Sequence, residues 1–256
     1  MRDWRYFMFC LIPSASLLIF SSAHLGAEEI HLAVASNFTE PMKQLTQLFQ
    51  QSSGHQVIVS VGSTGQLYSQ IKHGGPFQIF LSADMIHPQK LVAEELAVKG
   101  TVFIYAIGKL VLWSQDAHLI DAEGKVLKTG QFNHLALANP KTAPYGTAAQ
   151  QTLEKLGLWQ TLQDKLVQGN NITQAYQFIA TGNAELGFIA LSQYQAATKE
   201  SPGSHWLVPE SLYEAILQGA VLLKTGENNP VAKAFMAFLS SPQARPVIES
   251  YGYVVP

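Results

Sequence analysis

The sequence predicts an α/β protein of two lobes, each built on a sheet with helices on both faces, with strands that cross between the lobes. Three observations carry this expectation. Strand-turn-helix units recur over residues 30–100, the rhythm breaks just after Thr101, and a second series starts near Leu135.

In the first series, IHLAVA (Ile30 to Ala35) reads as a buried strand, and Phe38, Met42, Leu45 and Phe49 then follow at helical spacing. Gln56 to Val61 is the second strand, and Gly62-Ser63-Thr64-Gly65 leads into a short helix that ends before Gly74-Gly75-Pro76. Phe77 to Leu81 is the third strand, and Leu91, Val92 and Leu96 mark a helix stopped near Gly100. This alternation predicts parallel strands. Val102 to Ile107 and Leu110 to Trp113 are then strand-like with only Gly108-Lys109 between them, which places a lobe crossing there. Leu135 to Ala138 opens the second series, followed by the loop Asn139 to Gly146, a helix through Leu153 and Leu156, a helix starting near Ile172, and a strand from Leu186 to Leu191. Ile216 to Leu223 reads as the return crossing, with Val231, Phe235, Phe238 and Leu239 on a helix behind it and a short terminal helix capped at Ser241-Pro242. The expected division is a leader over residues 1–27, a first lobe of residues 28–108 and 222–256, and a second lobe of residues 109–221.

The leader is expected because a short charged stretch, Met1 to Arg5, precedes an apolar run from Tyr6 to Phe20 and then small residues, with cleavage after Ala27 or Ala23. The run contains Pro13 and is shorter than the ~20 residues a membrane-spanning helix needs. Export of the chain is the expectation. The only cysteine, Cys10, lies inside that run, so no internal disulfide is expected in the exported chain. At 47% hydrophobic and 13% charged residues, the composition is that of a chain with an ordinary core. Beyond the leader Arg245 is the only arginine, the lysines are scattered, and the formal net charge is −2. No arginine clamp and no basic stripe can form, which speaks against nucleic acid as a partner. Any bound anion must be held without guanidinium groups.

In parallel α/β sheets ligands sit beyond the carboxyl ends of strands, where helix N-termini present unpaired N–H groups and partial positive charge. The turns are therefore the candidate site. Ser36-Asn37 follows the first strand, and Asn37 with Glu40 has the spacing of a capping box, leaving the Ser36 hydroxyl and nearby amides outward; both residues are also ordinary caps. Gly62-Ser63-Thr64-Gly65 offers hydroxyls and close backbone approach, without the lysine of a nucleotide loop, and reads equally as a plain turn. Asn171 can cap a helix whose first residue, Ile172, has an N–H with no partner in its own helix, although its side chain also fits a core face. Tyr145, between Pro144 and Gly146, can point its phenol inward or cover the surface. Against catalysis or a metal site, the histidines from His31 to His205 stand singly, no Gly-x-Ser-x-Gly elbow occurs, and the candidate turns hold no carboxylate pair. Asp84, after the third strand, reads as a cap or a lobe-structure residue.

Together, AVASNF, VGSTGQLYSQI, PFQIFLSAD, ANPKTAPYGTAAQ, ELGFIALSQ and SPQARPVIESYGYVVP, in this order, closely resemble the periplasmic molybdate-binding proteins of ABC importers. The resemblance covers nearly the whole exported chain. It implies a type II periplasmic binding-protein fold with the oxyanion in the cleft, no cofactor, a molybdate or tungstate ligand, a membrane permease as partner, and a monomeric protein. By position it assigns the ligand to Ser36, Asn37, Thr64, Tyr145 and Ile172 through its backbone, with Ser63 ranked behind its neighbour Thr64. Some members of the family place a ligand tyrosine where this sequence has Ala190, so that contact is expected to be missing or supplied by Tyr145. The alternatives are a carrier of sulfate, phosphate or another oxyanion, or an exported hydrolase or transferase acting on phosphorylated substrates.

Overall fold

The structure, a computed structural model, describes residues 27–197 and 202–256. The expected leader lies outside the described residues except for Ala27. The first lobe opens with β1 (Glu29–Ala35), α1 (Thr39–Ser53), β2 (Gln56–Gly62), α2 (Thr64–Lys72), β3 (Ile79–Leu81), α3 (Ile86–Ala93) and β4 (Phe103–Gly108). The second comprises β5 (Leu110–Ser114), α4 (Val126–Thr129), β6 (Leu135–Ala138), α5 (Pro144–Lys155), β7 (Leu166–Gly169), α6 (Ile172–Ala180), β8 (Leu186–Ala190), α7 (Leu191–Ala197) and β9 (Ser204–Leu207). β10 (Ile216–Leu222), α8 (Pro230–Leu239) and α9 (Arg245–Ser250) then complete the first lobe.

Each lobe has its own five-stranded sheet, in the orders β2-β1-β3-β10-β4 and β7-β6-β8-β5-β9. The series strands are parallel, as the alternation predicts: β1 with β2 and β3, and β6 with β7 and β8. The crossing strands are not. β10 runs antiparallel to β3 and β4, and β5 runs antiparallel to β8 and β9. β4 and β5 belong to different sheets with only Lys109 between them, which is the outward crossing. The return differs from the expected boundary at Leu222. β10 is wholly paired within the first sheet, so the chain has already crossed back before Ile216. A long apolar strand signals burial on both faces and carries no information on which sheet it joins. The terminal helix α9 also starts at Arg245, later than the expected cap at Ser241.

The cores follow from the periodicities. On α1, Met42, Leu45 and Phe49 are buried, and Gly54 closes the helix at φ 73°, a left-handed conformation that glycine adopts without a Cβ clash. Asn171 caps α6 by accepting from Gln174 N–H at 3.0 Å, and Asn229 caps α8 by accepting from Val231 N–H at 2.8 Å. In the first lobe one cluster around Leu32, Phe38 and Phe235 and another around Phe80 and Leu91 cover opposite faces of the sheet. The largest second-lobe cluster, around Leu137 and Phe188, also takes in Ala35 and Ala83 of the first lobe, so apolar packing continues across the lobe junction. Phe38 anchors the first turn there, edge-on to Tyr105 at 4.8 Å and Tyr253 at 5.3 Å between ring centroids. Full burial of such a ring contributes roughly 1.5–3 kcal/mol. Among the described residues no helix is long and apolar enough to cross a membrane.

Candidate functional site

Five turns meet between the lobes, each at or just past the carboxyl end of a parallel strand. From the first lobe come Ala35-Ser36-Asn37 after β1, Gly62-Ser63-Thr64 after β2 and Ala83 after β3; from the second come Ala143-Pro144-Tyr145 beyond β6 and Ile172 beyond β7. They line a small cavity, partly open to solvent, with ≈ 190 Å³ of empty space including its mouth. All six residues expected from the sequence line it. Its walls contain no lysine, arginine, histidine or carboxylate. Two larger grooves at the junction share its edges, one through Ala83, Ala143 and Pro144 and the other through Ser36 and Asn37, and the charged or ionisable side chains of Asp84, His87, Lys141, Glu214, Glu40 and Tyr176 lie in those grooves.

The hydroxyl groups divide into free and committed ones. Ser36 opens a 3-10 turn, Ser36–Phe38, and its hydroxyl makes no hydrogen bond among the described residues; its carbonyl accepts from Thr39 Oγ1 at 2.8 Å. Ser63 stands at the N-cap of α2, with Gln66 at the spacing of a capping box, and Gln66 Oε1 accepts from Ser63 N–H at 3.4 Å. The Ser63 side chain faces Gln66 N–H in that box without closing a hydrogen bond to it, so the buried hydroxyl has no partner among the described residues. Leaving such a group unpaired costs about 1–3 kcal/mol, so it demands an acceptor. Thr64 Oγ1, expected to rank above it, accepts from Ala83 N–H at 3.0 Å and so ties the β2 and β3 turns together while keeping its own proton.

Asn37 departs from its expected role. No capping box forms with Glu40, which pairs instead with Lys43 at 2.7 Å, and α1 starts only at Thr39. The Asn37 amide turns inward, and Nδ2 donates to Gln218 Oε1 at 2.9 Å and to Tyr253 Oη at 3.0 Å. Both of its protons are therefore used, and the backbone N–H is the donor left for a ligand. The inward turn wins because two buried acceptors meet the amide there, a larger gain than one exposed helix cap.

In the second lobe, Pro144 and Tyr145 begin α5, so the Tyr145 N–H has no acceptor within its helix, and the same holds for Ile172 N–H at the start of α6. Ile172 is compatible with both sequence readings, since it belongs to the core cluster and also lines the cavity. The Tyr145 side chain is buried, and its phenol oxygen accepts from Gln218 Nε2 at 3.2 Å. Burial first, and then the neighbouring Tyr253 phenol, pushes its pKa well above the ordinary value, so it remains a neutral donor. Ala190 is fully buried at the end of β8.

Direct bonds join the lobes around the cavity. Gly65 N–H donates to Thr142 O at 2.9 Å, Thr173 Oγ1 to Ser36 O at 3.3 Å, and Ser192 Oγ to Asn37 O at 2.8 Å. Gly65 matters here, because a Cβ would lie 3.2 Å from Thr142 Cα. Sequence reasoning missed Tyr105, Ser192, Gln218 and Tyr253, which hold Asn37 and Tyr145 in place. The available signal was Gln218, the one amide within the apolar run ILQGAVL. Asp84 acts locally as expected, accepting from His87 N–H at 2.9 Å and pairing with His87 Nδ1 at 2.8 Å. Among the described residues no group of three His, Cys, Asp or Glu side chains could hold a metal ion.

Comparison with known proteins agrees with this architecture. Residues 30–254 match the family described as bacterial extracellular solute-binding protein. The chain is 53% identical over 227 residues to the molybdate-binding protein ModA of Azotobacter vinelandii, covering 89% of this chain and 90% of that one, and 52% identical over 229 residues to that of Rhodobacter capsulatus, covering 90% and 89%. A solved structure of the Azotobacter vinelandii periplasmic molybdate-binding protein superimposes with a TM-score of 0.86 at 42% identity, covering 89% of this chain and 99% of the other. The two-lobed fold is thus that of the periplasmic binding proteins, and the chain belongs to the bacterial extracellular solute-binding protein family.

Proposed function

We propose that the chain is an exported binding protein that captures molybdate, or the similar anion tungstate, and delivers it unchanged to the membrane permease of an ABC importer. One observation carries this reading. Ser36 and Ser63, whose hydroxyls have no hydrogen-bond partner among the described residues, line a cavity without cation or carboxylate together with Asn37, Tyr145 and Ile172, whose backbone N–H groups have no acceptor within their own helical turns. Hydrogen bonds from neutral donors to a fully ionised anion are worth about 1.5–3 kcal/mol each, enough in sum to hold it without a counter-charge. A phosphate that keeps a proton at neutral pH would find no carboxylate to receive it, which favours a fully deprotonated anion. Names of the relatives favour molybdate among these. The lack of a nucleophile beside a base in the cavity supports binding without turnover over an exported enzyme. The bonds between the lobes support capture by closure around the anion.

Calorimetric titration of the exported chain with molybdate, tungstate and sulfate tests the proposal. Molybdate and tungstate bind, and at about a hundredfold excess over Kd each adds ~2.7 kcal/mol to stability, while sulfate hardly does. An equal response to sulfate overturns the molybdate assignment, and turnover of phosphate esters overturns the binding-protein reading.

A further inference from the structure

Ser36 and Asn37 line the cavity from the first lobe, and the carbonyls of both accept from hydroxyls of the second. Thr173 Oγ1, one residue beyond Ile172, donates to Ser36 O at 3.3 Å, and Ser192 Oγ, on α7, donates to Asn37 O at 2.8 Å. The Ser192 contact is the more enclosed. Ser192 is 2% exposed, and its Oγ accepts from Tyr253 Oη at 3.0 Å, while Tyr253 Oη also reaches Asn37 O at 2.9 Å. The Tyr145 phenol of the second lobe meets the same Tyr253 oxygen. Tyr253 itself belongs to the first lobe, on the segment that follows α9 and bridges to β4 between Ile107 and Val254, beside the crossing at Lys109. That segment comes very close to α7. Gly252 has φ 79°, and a Cβ there would lie 2.6 Å from Leu191 Cδ2. Neither Ser192 nor Tyr253 lines the cavity.

We infer that Ser192 is a positioning residue that latches the second lobe onto Asn37 when the lobes close, and so slows release of the bound oxyanion without touching it. This rests on the oxyanion reading of the cavity. The Asn37 carbonyl has two lone pairs and takes one donor from each lobe. Parting the lobes withdraws Ser192 and leaves Tyr253 in place, so Asn37 O keeps a partner in the open form and closure adds the second. An anion held from both lobes must wait for them to part before it leaves, and the latch acts on that step. Arrival takes place in the open form, where the latch is unmade.

Rates of uptake and release separate this role from a merely structural one. Radiolabelled molybdate is loaded onto the wild type, Ser192→Ala and Tyr253→Phe and chased with unlabelled molybdate, with the ligand-free Tm of each protein measured alongside. Ser192→Ala is expected to release molybdate about tenfold faster, with association altered by no more than about twofold and Kd weakened to match. Its ligand-free Tm should hardly move, because Asn37 O retains Tyr253. Tyr253→Phe keeps its ring against Phe38 and should also speed release, with a lower Tm because Asn37 Nδ2 loses an acceptor. If Ser192→Ala does not fold, Tyr253→Phe decides by the same split of rates. Unchanged release overturns the inference, whether or not Tm falls, and so does a variant that loses affinity through slower association. A wild type that binds molybdate with either of these outcomes sinks only the latch, whereas one that binds none of molybdate, tungstate and sulfate sinks the function along with it.

Discussion

Replacing Ser63 with alanine separates binding from folding more sharply than any other change in the cavity, because the two roles open to this serine predict opposite signs. Its hydroxyl is buried without a partner, so the ligand-free protein bears a desolvation cost of about 1–3 kcal/mol that Ser63→Ala removes. For a chain of this size that is a rise in ligand-free Tm of roughly 2–4 °C per kcal/mol. With molybdate bound, the same hydroxyl donates to an anion, and deleting it costs about 1.5–3 kcal/mol, or roughly ten- to a hundredfold in Kd. A serine acting only as the α2 cap would behave otherwise. Its loss would lower the ligand-free Tm by the equivalent of about 0.5–2 kcal/mol and leave Kd alone. The assay is differential scanning calorimetry of the ligand-free variant beside isothermal titration with molybdate. A lower Tm with unchanged Kd refutes the reasoning.

Three further expectations follow from the same geometry. Tyr145→Phe weakens molybdate binding by about 1.5–3 kcal/mol and also lowers the ligand-free Tm, because Gln218 Nε2 loses its buried acceptor; titration with unchanged Kd removes the phenol from the ligand set. Molybdate affinity stays nearly flat between about pH 6 and 8, since the only titratable side chain in the cavity wall, Tyr145, has its pKa raised above its ordinary 10.0. The stabilising effect of keeping the buried phenols of Tyr105, Tyr145 and Tyr253 protonated is fully present below that value and fades only as pH rises beyond it, so a tenfold loss of affinity between pH 6 and 8 would reveal an unidentified titrating cation. Gly65→Ala pushes a methyl against Thr142 across the lobe junction, and an overpacking cost of about 1 kcal/mol should weaken molybdate binding by roughly fivefold with little change in ligand-free Tm; an unaltered Kd would mean that the junction yields without cost.

The parts of this protein governed by local rules were legible in its sequence. Periodicity located β1, α1, β2 and β6, and the turn positions brought Ser36, Ser63, Thr64, Tyr145 and Ile172 to one cavity wall. The short strands β7 and β9 were not anticipated, because four residues such as LVQG and SHWL are too few to display a period. Sheet membership of β10 was misread for a different reason: which sheet an apolar strand joins depends on partners distant in the chain. The same holds for polar choices. The spacing of Asn37 and Glu40 suits a cap, yet the amide bonds to Gln218 and Tyr253, some two hundred residues further along the chain and invisible to any local pattern. The bond that Thr64 Oγ1 accepts from Ala83 N–H was out of reach in the same way, since it depends on the approach of the β3 turn.

The absence of ionisable groups other than a phenol from the cavity wall has an electrical consequence. Nothing there neutralises the guest, so a captured dianion adds its whole charge to a molecule that is already slightly acidic, and the filled form is the more strongly negative of the two. Occupancy is thereby written into electrophoretic mobility and isoelectric point. A receptor in the membrane meets a particle that differs from the empty one in its long-range field as well as in its shape, and salt, which screens that field, acts on the two forms unequally.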